Sequence, residues 1–272
     1  MADRLRFTIT GCGSSPGVPR ITGDWGNCDP SNPRNRRRRA AAVVERVSAG
    51  GGITRVAIDT GPDFRDQMLD ANVTHLDAVV YTHAHADHIH GVDDLRGYFL
   101  VQRHRIDVYG DKTTLDKIED SFGYCFKTPP GSSYPPIVEP HHIAHDLPFE
   151  ISGAGGAIPF TPLTQLHGDI FSLGFRIGNL AYCSDVSAFP DETASQLRDL
   201  DVLIIDALQY REHPSHFSLG QALEWIDRLA PKLAVLTHMH IPLDYDTVLA
   251  ETPDHVVPAH DGMVIELPVT GH

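Results

Sequence analysis

Residues 82–88 read T-H-A-H-A-D-H (Thr82, His83, Ala84, His85, Ala86, Asp87, His88), directly after the apolar run Asp77 to Tyr81. Four side chains that bind metals as imidazole or carboxylate thus fall within six positions, at the end of a candidate strand. In an extended segment residues two apart face the same way, so His83 and His85 can meet one ion. Asp87 and His88 can turn toward a second.

Outward from this cluster, the chain alternates short apolar runs with helical patterns. Leu5 to Thr10, Ala41 to Val47 and Thr54 to Asp59 are β-branched or apolar runs bounded by glycine, which predicts three early strands. Pro62 at a first helical position, with Phe64, Met68 and Leu69 at helical spacing, predicts a short helix before the strand Asp77 to Thr82. Further on, Thr113 to Phe122 and Asp191 to Leu200 are expected as helices, Phe149 to Gly178 as strands and hairpins, and Leu180 to Ser184 and Val202 to Ile205 as strands. Ser218 to Leu229 places Leu219, Leu223, Ile226 and Leu229 on one helical face, and Leu233 to Thr237 is apolar enough for a central strand. Lys127 to Pro136 (KTPPGSSYPP) is a loop, a candidate lid, and the place where a domain boundary would fall if there were one. A single domain over 1–272, built of two packed halves, is the preferred organisation.

Bulk properties narrow the function. The formal charge is -14, from 36 acidic and 22 basic residues, which repels long polyanions and makes any phosphate substrate a small one. Met1 to Arg6 lacks an apolar signal core and no run of about 18 apolar residues exists, so a cytoplasmic, membrane-free protein is expected. Cys12, Cys28, Cys125 and Cys183 form no C-x-x-C pair and are expected as buried thiols. Arg36 to Arg39 is taken as a solvated, salt-bridged strand edge rather than a nucleic-acid patch. Gly11, Gly13 and Gly17 lack the spacing of a dinucleotide-binding loop and are taken as a turn bordering the active site.

The H-x-H-x-D-H string resembles the signature of the metallo-β-lactamase superfamily, and later residues match in order: His167 in Q-L-H-G, Asp185 in Y-C-S-D, His238 in L-T-H and Asp59 in I-D-T-G-P-D. The resemblance implies an α/β fold, the four-layer αββα sandwich, with two divalent metal ions, Zn2+ first and Mn2+ or Fe2+ as alternatives. His83, His85, His167 and Asp185 would hold one ion; Asp87, His88, Asp185 and His238 the other; Asp59 would orient a ligand. A surface histidine patch is the plain alternative, but the strand context and the distant partners would then all be accidental. Within the superfamily the chain is similar to the phosphodiesterase accessory proteins of carbon–phosphorus lyase operons, at G-C-G-S-S-P-G-V-P-R, P-S-H-F-S-L, L-T-H and D-G-M-V-I. That likeness implies a small, cyclic or dinucleotide-sized phosphodiester as substrate, with His216 beside the phosphate. The relatives' cysteine-rich zinc site has only Cys28 here, in G-N-C-D-P, so that extra zinc is expected to be absent.

Chemistry agrees with the resemblance. Two cations about 3.5 to 4 Å apart lower the pKa of a shared water from 15.7 toward about 7 and neutralise charge on a phosphoryl oxygen. Asp87 and His216 are the candidate catalytic groups, with Asp206 or another carboxylate fixing the tautomer of His216. His213 and His240 are expected to support the site or touch substrate; His141, His142, His145 and His260 have no assigned role. The expected partners are a small phosphate-containing substrate and a nucleoside monophosphate product, with no membrane and no long nucleic acid; a homodimer is one option for the assembly. The rival functions are a lactone or thioester hydrolase, ribonuclease Z-like RNA processing, and a non-catalytic metal-binding protein of cofactor biosynthesis.

Overall fold

The computed structural model describes residues 2–145 and 147–269; the two ends of the expected 1–272 domain lie outside them. In chain order the elements are β1 (Arg4–Gly11), β2 (Ala41–Val47), β3 (Ile53–Ile58), α1 (Phe64–Asp70), β4 (Ala78–Val80), α2 (Ala86–Ile89), α3 (Arg96–Gln102), β5 (Ile106–Gly110), α4 (Lys112–Phe126), β6 (Val138–His142) and β7 (Phe149–Ile151). There follow β8 (Ile158–His167), β9 (Ile170–Ile177), β10 (Leu180–Cys183), α5 (Asp191–Gln196), β11 (Val202–Asp206), α6 (Leu219–Leu229), β12 (Leu233–Thr237), α7 (Tyr245–Glu251), β13 (Val256–Pro258) and β14 (Met263–Pro268).

The strands form two mixed sheets of seven, in the orders β14-β1-β2-β3-β4-β5-β6 and β13-β12-β11-β10-β9-β8-β7. Hairpins build the antiparallel parts, β2 on β3, β8 on β9 and β9 on β10, whereas β3, β4, β5 and β6 run parallel to one another, as do β10, β11, β12 and β13. The central parallel strand β11 is buried along its length and β12 nearly so, which is why β11 (VLIID) and most of β12 (LAVLT) are apolar runs without alternation.

Contacts divide the chain into two compact units. One comprises residues 1–10, 41–159 and 264–272; the other comprises 11–40 and 160–263. The division therefore falls after Pro159 and interleaves the chain ends, not at the Lys127 to Pro136 loop, because β6 still extends the first sheet beyond that loop. In the first unit α1 and α4 pack on the sheet through Phe64, Met68, Leu115 and Ile118, against Val79, Ile106 and Val108. In the second, α6 starts with a capping box, Ser218 accepting from the Gln221 amide, and buries Leu219, Ala222, Ile226 and Leu229.

Several local expectations change. The first helical residue of α1 is Phe64, not Pro62, with Asp63 at the cap, and Leu69 faces solvent. α5 stops at Gln196 and Leu223 is only half-buried. The arginine run is not a solvated edge: Arg37 is buried, its guanidinium donating to Asn35 Oδ1 at 3.2 Å, and Arg38 pairs with Asp261 at 3.0 Å. All four cysteines are free and buried. No helix among the described residues is long and apolar enough to cross a membrane.

Candidate metal centre

Open α/β sheets present ligands at the carboxyl ends of their parallel strands, where strand side chains and loop backbone meet. The expected site residues follow that rule. Asp59 follows β3, His83 follows β4 by way of Tyr81 and Thr82, Asp185 follows β10, Asp206 ends β11 and His238 follows β12. Asp59, Asp185 and His238 all have left-handed backbones, with φ of 66°, 54° and 57°. Such conformations cost non-glycine residues free energy and persist where surrounding structure over-determines them, as functional sites do.

In the first unit Asp59 is the organising group. Its Oδ1 accepts the Thr82 amide at 2.8 Å, and its Oδ2 accepts the Thr82 hydroxyl at 2.8 Å and His88 Nδ1 at 2.7 Å. Burial pushes the Asp59 carboxyl up, while the contacts with His88 and Thr82 pull it down. These contacts fix tautomers. A carboxylate only accepts, so His88 carries its proton on Nδ1 and turns the Nε2 lone pair toward Asp87, whose Oδ2 is 3.5 Å away. The single Thr82 hydroxyl proton is given to Asp59, so His83 Nδ1 donates to Thr82 Oγ1 at 3.0 Å. His83 Nε2 then faces His85 Nδ1 at 2.9 Å, two ring nitrogens converging on one locus.

Gly91 locks this half. A Cβ there would lie 2.3 Å from the Gly61 carbonyl oxygen, so only glycine lets α2, with Asp87 and His88, sit against the turn after Asp59.

In the second unit His167 Nδ1 donates to the Ser215 carbonyl at 2.6 Å, leaving Nε2 as a lone pair. Asp206 is fully buried; its Oδ2 accepts the Val186 amide at 3.0 Å and His216 Nδ1 at 2.7 Å. Its Oδ1 takes no hydrogen bond among the described residues and lies 3.9 Å from His238 Nδ1. Burial raises the Asp206 carboxyl well above its ordinary range, His238 opposing and Asp185 reinforcing the shift. His238 Nε2 is 3.2 Å from Asp185 Oδ1, and its ring stacks on that of His216 at 4.5 Å and 12°. His167 meets the His216 ring edge-on at 4.6 Å. Ligand atoms of His167, Asp185 and His216 lie within 4.8 Å of one another, as do those of Asp206, His216 and His238.

The structure thus gathers Asp59, His83, His85, Asp87 and His88 in one unit, and His167, Asp185, Asp206, His216 and His238 in the other. His213 sits at 5.4 Å from His216, ring to ring, and its own imidazole is disfavoured as a cation by burial and by His216. His240 turns to different partners, Ser14 and Arg20. Sequence reasoning missed Thr82, Ser215, Ser14 and Arg20, since a hydroxyl or a backbone carbonyl that fixes an imidazole has no pattern of its own. The donor set, neutral imidazoles with aimed lone pairs plus carboxylates, fits a borderline divalent cation.

The sequence model of the β-lactamase superfamily domain matches residues 54–239. A curated relative, an octanoyltransferase of Porphyromonas gingivalis, is 33% identical over 264 residues, which are 95% of this chain and 51% of the relative; the chain spans about half of that protein. Among solved structures, a diphosphatase of the PhnP family superposes with a TM-score of 0.86 at 34% identity, over 97% of both chains. Human tRNase Z, short form, gives 0.63 at 19% identity, covering 97% of this chain and all of the other, a likeness of fold alone. With two mixed sheets flanked by helices, tautomer-fixed histidines at strand ends and a family match across most of its length, the chain belongs to the metallo-β-lactamase superfamily of metal-dependent hydrolases.

Proposed function

We propose that His83, His85, His167 and Asp185 hold one divalent ion and Asp87, His88, Asp185 and His238 a second, in an enzyme that hydrolyses small phosphodiesters such as a cyclic ribose phosphate or a nucleotide ester. Zinc suits these nitrogen and oxygen donors, as do manganese and iron(II). When bound, such ions supply Lewis acidity toward a phosphoryl oxygen and acidify water.

The observation that carries the phosphate reading is the His216–Asp206 pair beside Asp185 and His238. Asp206 accepts from Nδ1 of His216 and so orients the ring, leaving Nε2 as the atom that can pass a proton to a leaving oxygen. A thioester, whose thiolate leaves readily, has less need of this, whereas a ribosyl or alkyl phosphate leaves poorly unaided. Asp59, through Thr82 and His88, holds the other half in register. A nucleoside monophosphate would be the product ligand.

A second reading has a specific motive: the similar PhnP-family protein is described as a diphosphatase, so a P–O–P bond is a candidate alongside P–O–C. Both reactions break a P–O bond, and in a diphosphate that carries an ester the attacked phosphorus can be disubstituted as in a diester. A panel of cyclic phosphates, linear diesters, diphosphates, monoesters, lactones, octanoyl thioesters and a transfer-RNA precursor, under one metal condition, tests the proposal. Small diesters or diphosphates should lead in kcat/KM. A ten-fold preference for an acyl substrate, efficient RNA cleavage, or inertness to the whole panel would overturn it.

A further inference from the structure

The closing D-G-M-V-I stretch has no task in the metal centre, yet its first residue, Asp261, ties together segments of the second unit that are far apart in the chain. Asp261 Oδ1 accepts the Cys12 amide at 3.1 Å and the Cys12 thiol at 3.4 Å; Oδ2 accepts the Arg38 amide at 2.9 Å and Arg38 Nε at 3.0 Å. Each oxygen therefore serves two donors. Burial pushes the Asp261 carboxyl up while Arg38 and Cys12 pull it down, and the fully buried Cys12 thiol is pushed well up and keeps the proton it donates. A carboxylate, which only accepts, matches these four donors; an amide in its place turns NH2 toward two of them.

From Cys12 the bonding runs on to a proposed metal ligand. The Cys12 carbonyl accepts the Met239 amide at 2.9 Å and the Met239 carbonyl accepts the Ser14 amide at 3.3 Å, so Gly13 bridges in parallel to Met239 on one side and to Arg39 on the other. The Gly13 amide donates to the Arg38 carbonyl at 2.7 Å, and a Cβ on Gly13 would lie 2.9 Å from that oxygen, so the backbones are in close contact. Met239 follows His238, whose own backbone is left-handed at φ 57°. Such a conformation persists where its surroundings over-determine it, and here both flanking peptides are tied. The Thr237 carbonyl accepts the Ala207 amide at 3.0 Å, which fixes the peptide before the ring; the peptide after it is fixed from Cys12.

We propose that Asp261 is a positioning residue of the metal centre: through Cys12 it holds the His238 turn in its left-handed form and so keeps His238 Nε2 aimed at Asp185 Oδ1, 3.2 Å away. The assignment rests on His238 being a metal ligand, as proposed above. Without the carboxylate, residues 12 and 38 lose their shared acceptor and the Cys12 carbonyl shifts. The peptide after His238 then relaxes toward the right-handed conformation, which costs less, and the imidazole swings away from Asp185. Asp261 acts in this through backbone alone and touches neither ion nor substrate.

The test sets Asp261→Asn beside His238→Ala and Ile226→Ala, the last opening a cavity under α6 without touching the Asp261 network. Competition of the full chain with a chromophoric chelator reads each equivalent of Zn2+. Asp261→Asn should weaken the equivalent that His238→Ala weakens, by about 10- to 100-fold, and leave the other within about three-fold of wild type. Ile226→Ala should melt lower and bind both equivalents as wild type does; if it weakens the same equivalent to the same degree, the effect is general softening and the proposal fails. Zinc binding by Asp261→Asn equal to wild type also overturns it. A crystal structure of the metal-free variant is read independently of any ligand assignment: a negative φ at His238 supports the proposal, and φ still near 57° sinks it. If His238→Ala binds both ions as wild type does, the ligand reading fails and that φ decides for Asp261 by itself. If Asp261→Asn does not fold, Arg38→Met, which removes one of the four donors and leaves the carboxylate, enters both assays in its place. It should weaken the same equivalent by more than about three-fold, and unchanged binding overturns the proposal.

Discussion

Replacing Asp59 by asparagine changes one oxygen to an NH2 group, and the structure says where the consequence travels. Asparagine tolerates the left-handed backbone at φ 66° as aspartate does, so the turn should survive. The amide oxygen takes the place of Oδ1 and accepts the Thr82 amide, which puts NH2 where Oδ2 received both the Thr82 hydroxyl and His88 Nδ1. His88 must then accept at Nδ1 and move its proton to Nε2, the atom that faces Asp87. The Thr82 hydroxyl, deprived of its acceptor, can turn to His83 Nδ1 at 3.0 Å and push that ring's proton to Nε2 as well. Two imidazoles thus present N–H where a metal needs a lone pair. Loss of such orienting partners weakens metal binding by about 10- to 100-fold, or about 1.4 to 2.7 kcal/mol. The metal-free fold should suffer less. Charge-assisted bonds are exchanged for neutral ones, at about 1 kcal/mol each, but a buried carboxyl that burial already disfavours as an anion is removed. Competition of the metal-free variant with a chromophoric chelator for Zn2+ reads the first quantity, and a thermal melt without metal reads the second. Zinc affinity within three-fold of wild type would refute the tautomer argument. A metal-free variant that no longer melts cooperatively would show that Asp59 holds the fold rather than the protons.

Other perturbations test other parts. His216→Ala should retain its metals and lose about 10² to 10⁴ in turnover, with p-nitrophenyl esters suffering less than ribosyl esters; an equal loss would mean that the ring positions phosphate instead of protonating the leaving oxygen. Gly91→Ala should destabilise by about 1 to 3 kcal/mol and weaken metal binding together, since its Cβ must displace the Gly61 carbonyl now 2.3 Å away; unaltered melting and metal affinity would show that the turn yields freely. Asp244 is raised by burial but more strongly lowered, to about 2, by the amides of Thr247 and Asp29 and the side chain of Asn35. Its contribution, about 1 to 2 kcal/mol after allowance for partial exposure, is present above the unfolded value near 3.8 and lost as pH falls toward about 2. Asp244→Ala should therefore melt lower than wild type at pH 7, with the gap closing by pH 2; a gap independent of pH would assign the effect to packing.

Some of this was legible in residue order. The cluster at Thr82 to His88 declares itself because strand periodicity puts alternate residues on one face, and the parallel strands β11 and β12 are legible because burial on both faces leaves only apolar residues. Short elements such as α2, α3, β6, β7 and β13 were not, since a span of three to seven residues carries too few positions to show a period. The arginine run misled for a related reason. Local composition speaks of solvent, whereas Arg37 is buried by a partner, Asn35, that only the folded turn presents.

What the sequence determined by itself is the inventory: two sheets' worth of buried strands, four metal-binding groups in one heptapeptide, and candidate partners at the ends of later apolar runs. Only the tertiary structure decided which nitrogen of each imidazole carries the proton, that Asp206 rather than another carboxylate holds His216, and that His240 belongs to Ser14 and Arg20. The physical reason is that a ligand's identity is a property of its side chain. Its tautomer and charge are set within about 3 Å by donors and acceptors that, for His88, His216 and His240, lie between 10 and 226 residues away along the chain.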